Sequence, residues 1–155
     1  MYQKIMVPLD GSELAECVLP HVETLVKGGG VQEVIFVRVS PPFELIPVRG
    51  DPWFNDEQIA QIDARTKKVA EDYLDELVSR IDYDKVNVKA EVLTGKIADN
   101  LADYAVKNEV DIIVIATHGR SGMSRWVMGG VSDRIIRSSC VPVLTVRSPG
   151  CAPRI

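Results

Sequence analysis

Residues 110–133 read VDIIVIATHGRSGMSRWVMGGVSD, an apolar run that passes directly into a glycine-rich, basic segment. The unbroken apolar character of residues 110–116 is typical of a parallel strand that is covered on both faces. Four glycines and two arginines follow it, before a helix that the sequence predicts around residues 132–138. A buried strand, a polar turn and a helix in this order indicate one unit of an α/β sheet.

The same alternation continues along the chain. Apolar residues at helical spacing between Ile59 and Ile81 indicate a long helix, which follows a proline-rich connection at residues 40–54. Because each crossover returns the next strand parallel to the last, the pattern predicts an α/β fold with a parallel sheet and helices on both faces. Four helical segments separate five predicted strands, at residues 3–9, 31–39, 85–93, 110–116 and 141–147.

Length and composition limit the function classes. The chain has 155 residues, and we expect one domain at residues 1–148 with a C-terminal tail at residues 149–155. The formal net charge of −4 argues against a nucleic-acid partner, because binding that polyanion needs clustered Lys and Arg. The sequence has neither a signal-peptide pattern nor a run of about 18 apolar residues, so it predicts a cytoplasmic protein without a membrane partner.

Two polar turns that contain glycine follow apolar strands of the predicted sheet. The first is Asp10-Gly11-Ser12, and the second is the glycine-rich segment quoted above. Ligands of such sheets bind outside the carboxyl ends of the strands, where the strand order reverses. Glycine lets backbone N–H groups approach an anion, and a helix N-terminus adds further donors. The second turn is therefore either a phosphate-binding loop or a plain strand-to-helix connection.

The glycines form neither of two common nucleotide motifs, because the chain has no G-x-x-x-x-G-K-[ST] and its first turn lacks G-x-G-x-x-G. Over almost its full length, the chain instead resembles the universal stress protein family. VPLDGS at residues 7–12, ATHGRSG at residues 116–122 and CVPVLTVR at residues 140–147 carry this resemblance. It implies a Rossmann-like fold of the adenine nucleotide alpha hydrolase type, an open five-stranded parallel sheet in the order 3-2-1-4-5.

Nucleotide-binding members of that family carry the pattern G-x-x-G, nine residues, then G-[ST]. Here the spacing is intact, but Ala116 replaces the first glycine and Gly130 replaces the final hydroxyl residue. The resemblance implies ATP, or else AMP or ADP, as a regulatory ligand together with Mg²⁺. The sequence shows no general base beside an activated nucleophile, so at most a slow hydrolysis is expected. The implied nucleotide-binding residues are Pro8, Leu9, Asp10, Val39, Ile115, Ala116, His118, Gly119, Arg120, Gly129, Gly130 and Val131.

Asp10 needs a specific role in such a site, because a carboxylate repels a polyphosphate. It would accept a hydrogen bond from a ribose hydroxyl or bind a Mg²⁺ ion that bridges phosphates, whereas as a helix N-cap it would need no ligand. The replacements at Ala116 and Gly130 leave a second hypothesis open. It is a stress protein without nucleotide affinity that acts as a protein-interaction dimer.

The last predicted strand, residues 141–147, carries hardly any charge. An uncovered apolar edge strand invites pairing with another chain. We therefore expect a homodimer in which two copies pair antiparallel along this strand, as the resemblance also implies. A C-terminal tail that covers the edge is the alternative. No motif identifies further protein partners.

Overall fold

The computed structural model of the protein describes residues 1–43, 55–117 and 130–147. Within these ranges it contains five strands and four α-helices, and a short 3-10 helix at Ala15–Val18 precedes the first α-helix. The strands are β1 (Lys4–Pro8), β2 (Glu33–Ser40), β3 (Asn87–Thr94), β4 (Ile112–Thr117) and β5 (Val143–Arg147). The helices are α1 (Leu19–Lys27), α2 (Asp56–Ser79), α3 (Ile97–Lys107) and α4 (Val131–Ser138).

The predicted parallel sheet is confirmed, with the strand order β3-β2-β1-β4-β5. Side chains alternate between the two faces along each strand, so the sheet supports two separate apolar cores. On the face covered by α1 and α2, the core includes Val7, Val34, Phe36, Val114, Leu74 and Leu77. On the face covered by α3 and α4, it includes Met6, Ile35, Ile113, Leu101, Ala105 and Ile135.

The segment after β1 differs from the single helix that its apolar spacing predicts. A 3-10 helix at Ala15–Val18 comes first, and Pro20 lies in the first turn of the α-helix that follows. Proline has no N–H, so a continuous α-helix would lose the bond from residue 20 to the carbonyl of Glu16. The helix is capped at its C-terminus by Gly28, and the next residue, Gly29, has a positive φ of 85°.

The long helix α2 begins with a capping box. The Gln58 N–H donates to Asn55 Oδ1 at 2.8 Å, and the Asn55 N–H donates to Gln58 Oε1 at 2.9 Å. These reciprocal bonds satisfy two backbone donors that would otherwise lack partners. The helix buries Leu74 and Leu77 against the sheet and ends at Ser79, before the predicted Ile81. Along the described residues, no helix combines the length and the apolar character needed to cross a membrane.

The side chain of Asp111 joins β1 to β4 at the amino ends of both strands. Its Oδ2 accepts hydrogen bonds from the Gln3 N–H at 2.7 Å and the Lys4 N–H at 2.8 Å. The Asp111 N–H donates in turn to the Lys4 carbonyl at 3.0 Å. The bonds from the Lys4 and Gln3 N–H groups hold the pKa of the Asp111 carboxyl below its ordinary value. Asp111 therefore fixes the position of the central strand in its ionised form.

We expect Asp111→Asn to lower the free energy of unfolding at neutral pH by about 1 kcal/mol, because a neutral acceptor makes weaker hydrogen bonds than a charged one. The pKa of Asp111 is lowered in the folded chain. Its contribution is therefore complete above the unfolded-state pKa of about 3.9, and it is lost as the pH falls through the lower folded value. Urea unfolding of both proteins from about pH 7 to pH 3 measures the difference. A difference that persists undiminished in acid would contradict this role of the charge.

Candidate nucleotide site

The candidate site lies at the carboxyl edge of the sheet, between β1 and β4. β1 pairs with β2 over five residues, from Lys4 with Glu33 to Pro8 with Val37, but its register with β4 covers only Ile5 with Ile112 and Met6 with Ile113. From β1 the chain continues through β2 and β3 toward one edge of the sheet. It then returns to form β4 on the other side of β1, with β5 beyond it at the opposite edge. The strand order therefore reverses here, which is where ligands of open α/β sheets bind.

Three of the predicted site residues lie at the carboxyl end of β1. Pro8 and Leu9 are buried, and the Leu9 N–H donates to the Val37 carbonyl at 2.9 Å, which extends the pairing with β2 by one residue. Asp10 follows on the exposed surface. The chain therefore leaves the sheet abruptly, and the first polar side chain after the strand stands at its edge.

Val39 and Ile115, the residues predicted to contact the base, share one face of the sheet. Both pack on the face covered by α3 and α4, where Ile115 is almost fully buried and Val39 is half-buried. Ala116 follows Ile115 in β4 and packs on the opposite face, with the α1 and α2 core. The methyl group that replaces the family's glycine hydrogen at Ala116 therefore points away from the face that carries Val39 and Ile115.

The Asp10-Gly11-Ser12 turn is stabilised by its own side chains. Asp10 Oδ1 accepts hydrogen bonds from the Ser12 N–H at 2.8 Å and from Ser12 Oγ at 2.6 Å. Ser12 Oγ in turn accepts from the Ala15 N–H at 3.2 Å, at the start of the 3-10 helix. Asp10 thus closes a local turn, while Ser12 has the role nearest to a helix cap. Gly11, between them, has a φ of 89°.

Gly130 lies on the other side of the site, at the N-cap of α4. Its φ of −57° and ψ of 162° are accessible to any residue, and a Cβ added there would meet no atom of the described residues within 4 Å. Val131, the first residue of α4, is 38% exposed. The N-terminus of a helix has unsatisfied N–H donors and a partial positive charge. The described part of this loop therefore supplies an open, donor-rich helix start.

Behind the first turn lies an arginine that the sequence reasoning missed. The Arg38 guanidinium lies 5.3 Å from the centroid of the Tyr73 ring, and a Cβ built on Gly11 would lie 2.8 Å from Arg38 Nη1. Tyr73 Oη donates to Glu16 Oε1 at 3.0 Å. Burial, then this bond to Glu16, raises the pKa of Tyr73 above its ordinary value. A charged residue inside the apolar run of β2 was the available signal.

Four predicted site residues, His118, Gly119, Arg120 and Gly129, lie outside the described residues. Their contribution to the site stays a prediction. For a metal, Asp10 offers one carboxylate, a ligand type that suits Mg²⁺. In the ranges that the structure describes, no three His, Cys, Asp or Glu side chains form a group that could hold a metal ion. Mg²⁺ binding at Asp10 also stays a prediction.

Comparison with known proteins establishes the family. The universal stress protein family model matches residues 1–147. The chain is 30% identical over 151 residues to universal stress protein MJ0531 of Methanocaldococcus jannaschii, an alignment that covers 96% of this chain and 84% of that protein. The chain belongs to the universal stress protein family, which confirms the resemblance of its motifs.

Two solved structures share the fold and contain an adenine nucleotide. The crystal structure of a universal stress protein in complex with cAMP has a TM-score of 0.59 at 18% identity, covering 95% of this chain and 98% of that one. A universal stress protein family protein from Arabidopsis thaliana with AMP bound has a TM-score of 0.63 at 16% identity, covering 96% and 93%. At these identities the likeness shows the fold, and the nucleotides are ligands of those proteins.

Substitution by serine should have opposite effects on stability at Gly11 and at Gly130, the two described glycines of the site. We expect Gly11→Ser to lower the free energy of unfolding by about 1–2 kcal/mol, because a side chain is strained at a positive φ. The new Cβ would also displace the Arg38 guanidinium. Gly130→Ser should raise stability by a few tenths of a kcal/mol, since serine is a better N-cap than glycine. Chemical denaturation measures both. Equal effects of the two substitutions would contradict the described turn geometry.

Proposed function

We propose that this chain binds an adenine nucleotide, with ATP as the principal ligand, at the carboxyl edge between β1 and β4. The observation that carries this proposal is the pair of polar elements on either side of the strand reversal. The Asp10 turn ends β1, and the N-terminus of α4 begins at an open Gly130. The cAMP and AMP complexes of the related structures support the nucleotide class.

The two polar elements suit different parts of a nucleotide. The Asp10 carboxylate repels phosphate but accepts hydrogen bonds from hydroxyl groups, so it suits the ribose. The backbone donors at Gly130 and Val131 suit the phosphates, because anions are stabilised at helix N-termini. Asp133 in the first turn of α4 is paired with Arg137, its Oδ2 accepting from Arg137 Nε at 3.1 Å. This pairing reduces the repulsion that Asp133 would otherwise exert on a phosphate.

We propose further that the nucleotide is a regulatory ligand in a stress response and that Mg²⁺ accompanies ATP. If Asp10 holds this cation instead of accepting from the ribose, the cation would neutralise charge between the carboxylate and the phosphates. A single carboxylate beside backbone donors supports binding better than turnover, because turnover needs a base and a nucleophile in mutual reach. At most a slow hydrolysis is expected of this arrangement.

The second candidate function is a protein-interaction dimer that has lost its nucleotide affinity. The missing hydroxyl at Gly130 favours it, because a hydrogen bond to a charged group contributes about 1.5–3 kcal/mol and its loss weakens binding about 10- to 100-fold. Ala116 gives this rival little support, since its methyl group packs on the α1 and α2 face. Titration calorimetry with AMP, and with ATP in the presence and absence of Mg²⁺, separates the two candidates. No heat and no thermal shift at millimolar nucleotide would favour the rival.

Gly130→Ser restores the hydroxyl at a position where the described residues leave room for a Cβ. We expect this substitution to tighten AMP and ATP binding about 10- to 100-fold, because the hydroxyl adds a hydrogen bond to a charged phosphate. Gly130→Ala is the matched control, since it adds the Cβ without the hydroxyl and should leave the affinity within about twofold of the wild type. Calorimetry measures all three proteins. Equal affinities of the serine and alanine variants would place the phosphates away from Gly130.

We propose that the chain is a homodimer paired through residues 141–147. β5 is an edge strand, and Leu144 and Thr145 on it are exposed. The Pro142 carbonyl accepts from the Ile113 N–H at 2.9 Å, and the Val146 carbonyl accepts from Thr117 Oγ1 at 3.4 Å, so both carbonyls point toward β4. Backbone groups alternate in direction along a strand, so those of Thr145 point to the outer edge.

Thr145→Pro tests this edge directly. Proline removes the outward N–H of residue 145, and edge strands tolerate proline because the inner ladder keeps its donors. We expect the dimer dissociation constant to rise about tenfold or more, as measured by sedimentation equilibrium. Thr145→Val keeps the N–H and should leave the dimer unchanged. Dimers of equal strength in both variants would argue for another interface.

A further inference from the structure

Arg38 is the only arginine or lysine in β2. Its side chain lies on the face opposite to that of its neighbour Val39, the residue predicted to contact the base. Val34 and Phe36 pack on the α1 and α2 face, and Arg38 follows them at the same alternate spacing. Val39 packs on the α3 and α4 face. Arg38 therefore approaches the Asp10-Gly11-Ser12 turn from behind, away from the face that carries Val39.

The Arg38 guanidinium fills the space between an aromatic ring and the turn. Its Cζ lies 5.3 Å from the centroid of the Tyr73 ring on α2. On the other side, a Cβ built on Gly11 would lie 2.8 Å from Nη1, 3.0 Å from Cζ and 3.2 Å from Nη2. These three guanidinium atoms thus occupy the space that a side chain at residue 11 would need. Only a residue without a side chain leaves room for this packing.

The Tyr73 ring is itself held in place. Its hydroxyl donates to Glu16 Oε1 at 3.0 Å, and Glu16 Oε2 lies 3.6 Å from Arg80 Nη2. Glu16 belongs to the 3-10 helix whose first N–H bonds to Ser12 Oγ. The turn is therefore connected to α2 by two routes, one through the Arg38 guanidinium and one through Ser12 and Glu16. The first route acts on Gly11, and the second acts on the residues that follow it.

We propose that Arg38 is a positioning residue of the nucleotide site, and that its guanidinium, stacked on Tyr73, packs against Gly11 and fixes the turn that presents Asp10. The inference rests on the proposed adenine-nucleotide function and adds a residue that would not touch the ligand. A fixed turn holds the Asp10 carboxylate in one orientation before the nucleotide arrives. The turn then loses less conformational freedom when the nucleotide binds, and the nucleotide binds more tightly.

The first test compares AMP affinities by calorimetry. Arg38→Met keeps an unbranched apolar stem and removes the planar cation, and we expect AMP to bind about five- to tenfold more weakly, the fold-change of one cation–π contact. Arg38→Lys keeps a cation without the planar fork and should recover part of the loss. Arg65→Met removes an exposed arginine of α2 that is outside the network of Arg38, Tyr73, Glu16 and Arg80, and should leave the affinity unchanged. Equal affinities of wild type and Arg38→Met would overturn the inference.

A double-mutant cycle distinguishes positioning from general destabilisation. If Arg38 acts through Asp10, Arg38→Met should have no further effect on AMP binding in an Asp10→Ala background. Fully additive losses would overturn the inference. A wild-type protein that binds neither AMP nor ATP would instead overturn the proposed function.

The second test needs no nucleotide. The Ser12 N–H donates to Asp10 Oδ1, so its hydrogen exchange, followed by NMR, reports on the turn. We expect this exchange to become about tenfold faster in Arg38→Met and to stay unchanged in Arg65→Met. This readout applies even if the affinities cannot be compared. Unchanged exchange at Ser12 in Arg38→Met would show that the guanidinium does not fix the turn, and the inference would fall.

Discussion

The pairing of β1 with β4 is the constraint on which the site depends. β1 is the central strand of the order β3-β2-β1-β4-β5, and its register with β4 covers two residue pairs where its register with β2 covers five. Asp111 holds the amino ends of β1 and β4 together through two backbone N–H groups. Among the described residues, the register of β1 with β4 is therefore confined to the amino-terminal half of β1 and stops before the carboxyl edge, where the strand order reverses and where ligands of such sheets bind.

The β1 side and the β4 side of this edge differ in their chemistry. On the β1 side, Asp10 closes a turn with Ser12, and the guanidinium of Arg38 packs against Gly11 from behind. On the β4 side, Gly130 is the N-cap of α4, and a Cβ built on it would meet none of the described residues within 4 Å. The first side carries a carboxylate in a hydrogen-bonded turn, and the second carries the N–H donors of a helix start. A nucleotide has a matching asymmetry, because its ribose carries neutral hydroxyl groups and its phosphates carry negative oxygens.

The two replacements in the family's glycine pattern have unequal consequences. From the sequence alone, the replacements at Ala116 and Gly130 are two departures from the family's pattern that cannot be ranked. The tertiary structure separates them, because Ala116 directs its methyl group into the α1 and α2 core while Gly130 stands at the exposed helix start. Only the loss at Gly130 removes a group from the proposed phosphate site. The family's hydroxyl is therefore the feature whose absence bears on affinity.

The sequence by itself determined the alternation of strands and helices, the two glycine-bearing turns and the family, because periodicity and turn residues are local properties. It also indicated β5 as an apolar edge. It did not reveal the break before Pro20, which depends on the hydrogen bonds of one helical turn. Only the tertiary structure decided which side chains meet across distant elements. Arg38, Tyr73 and Gly11 are far apart along the chain, and the packing of α2 on β2 brings them into contact.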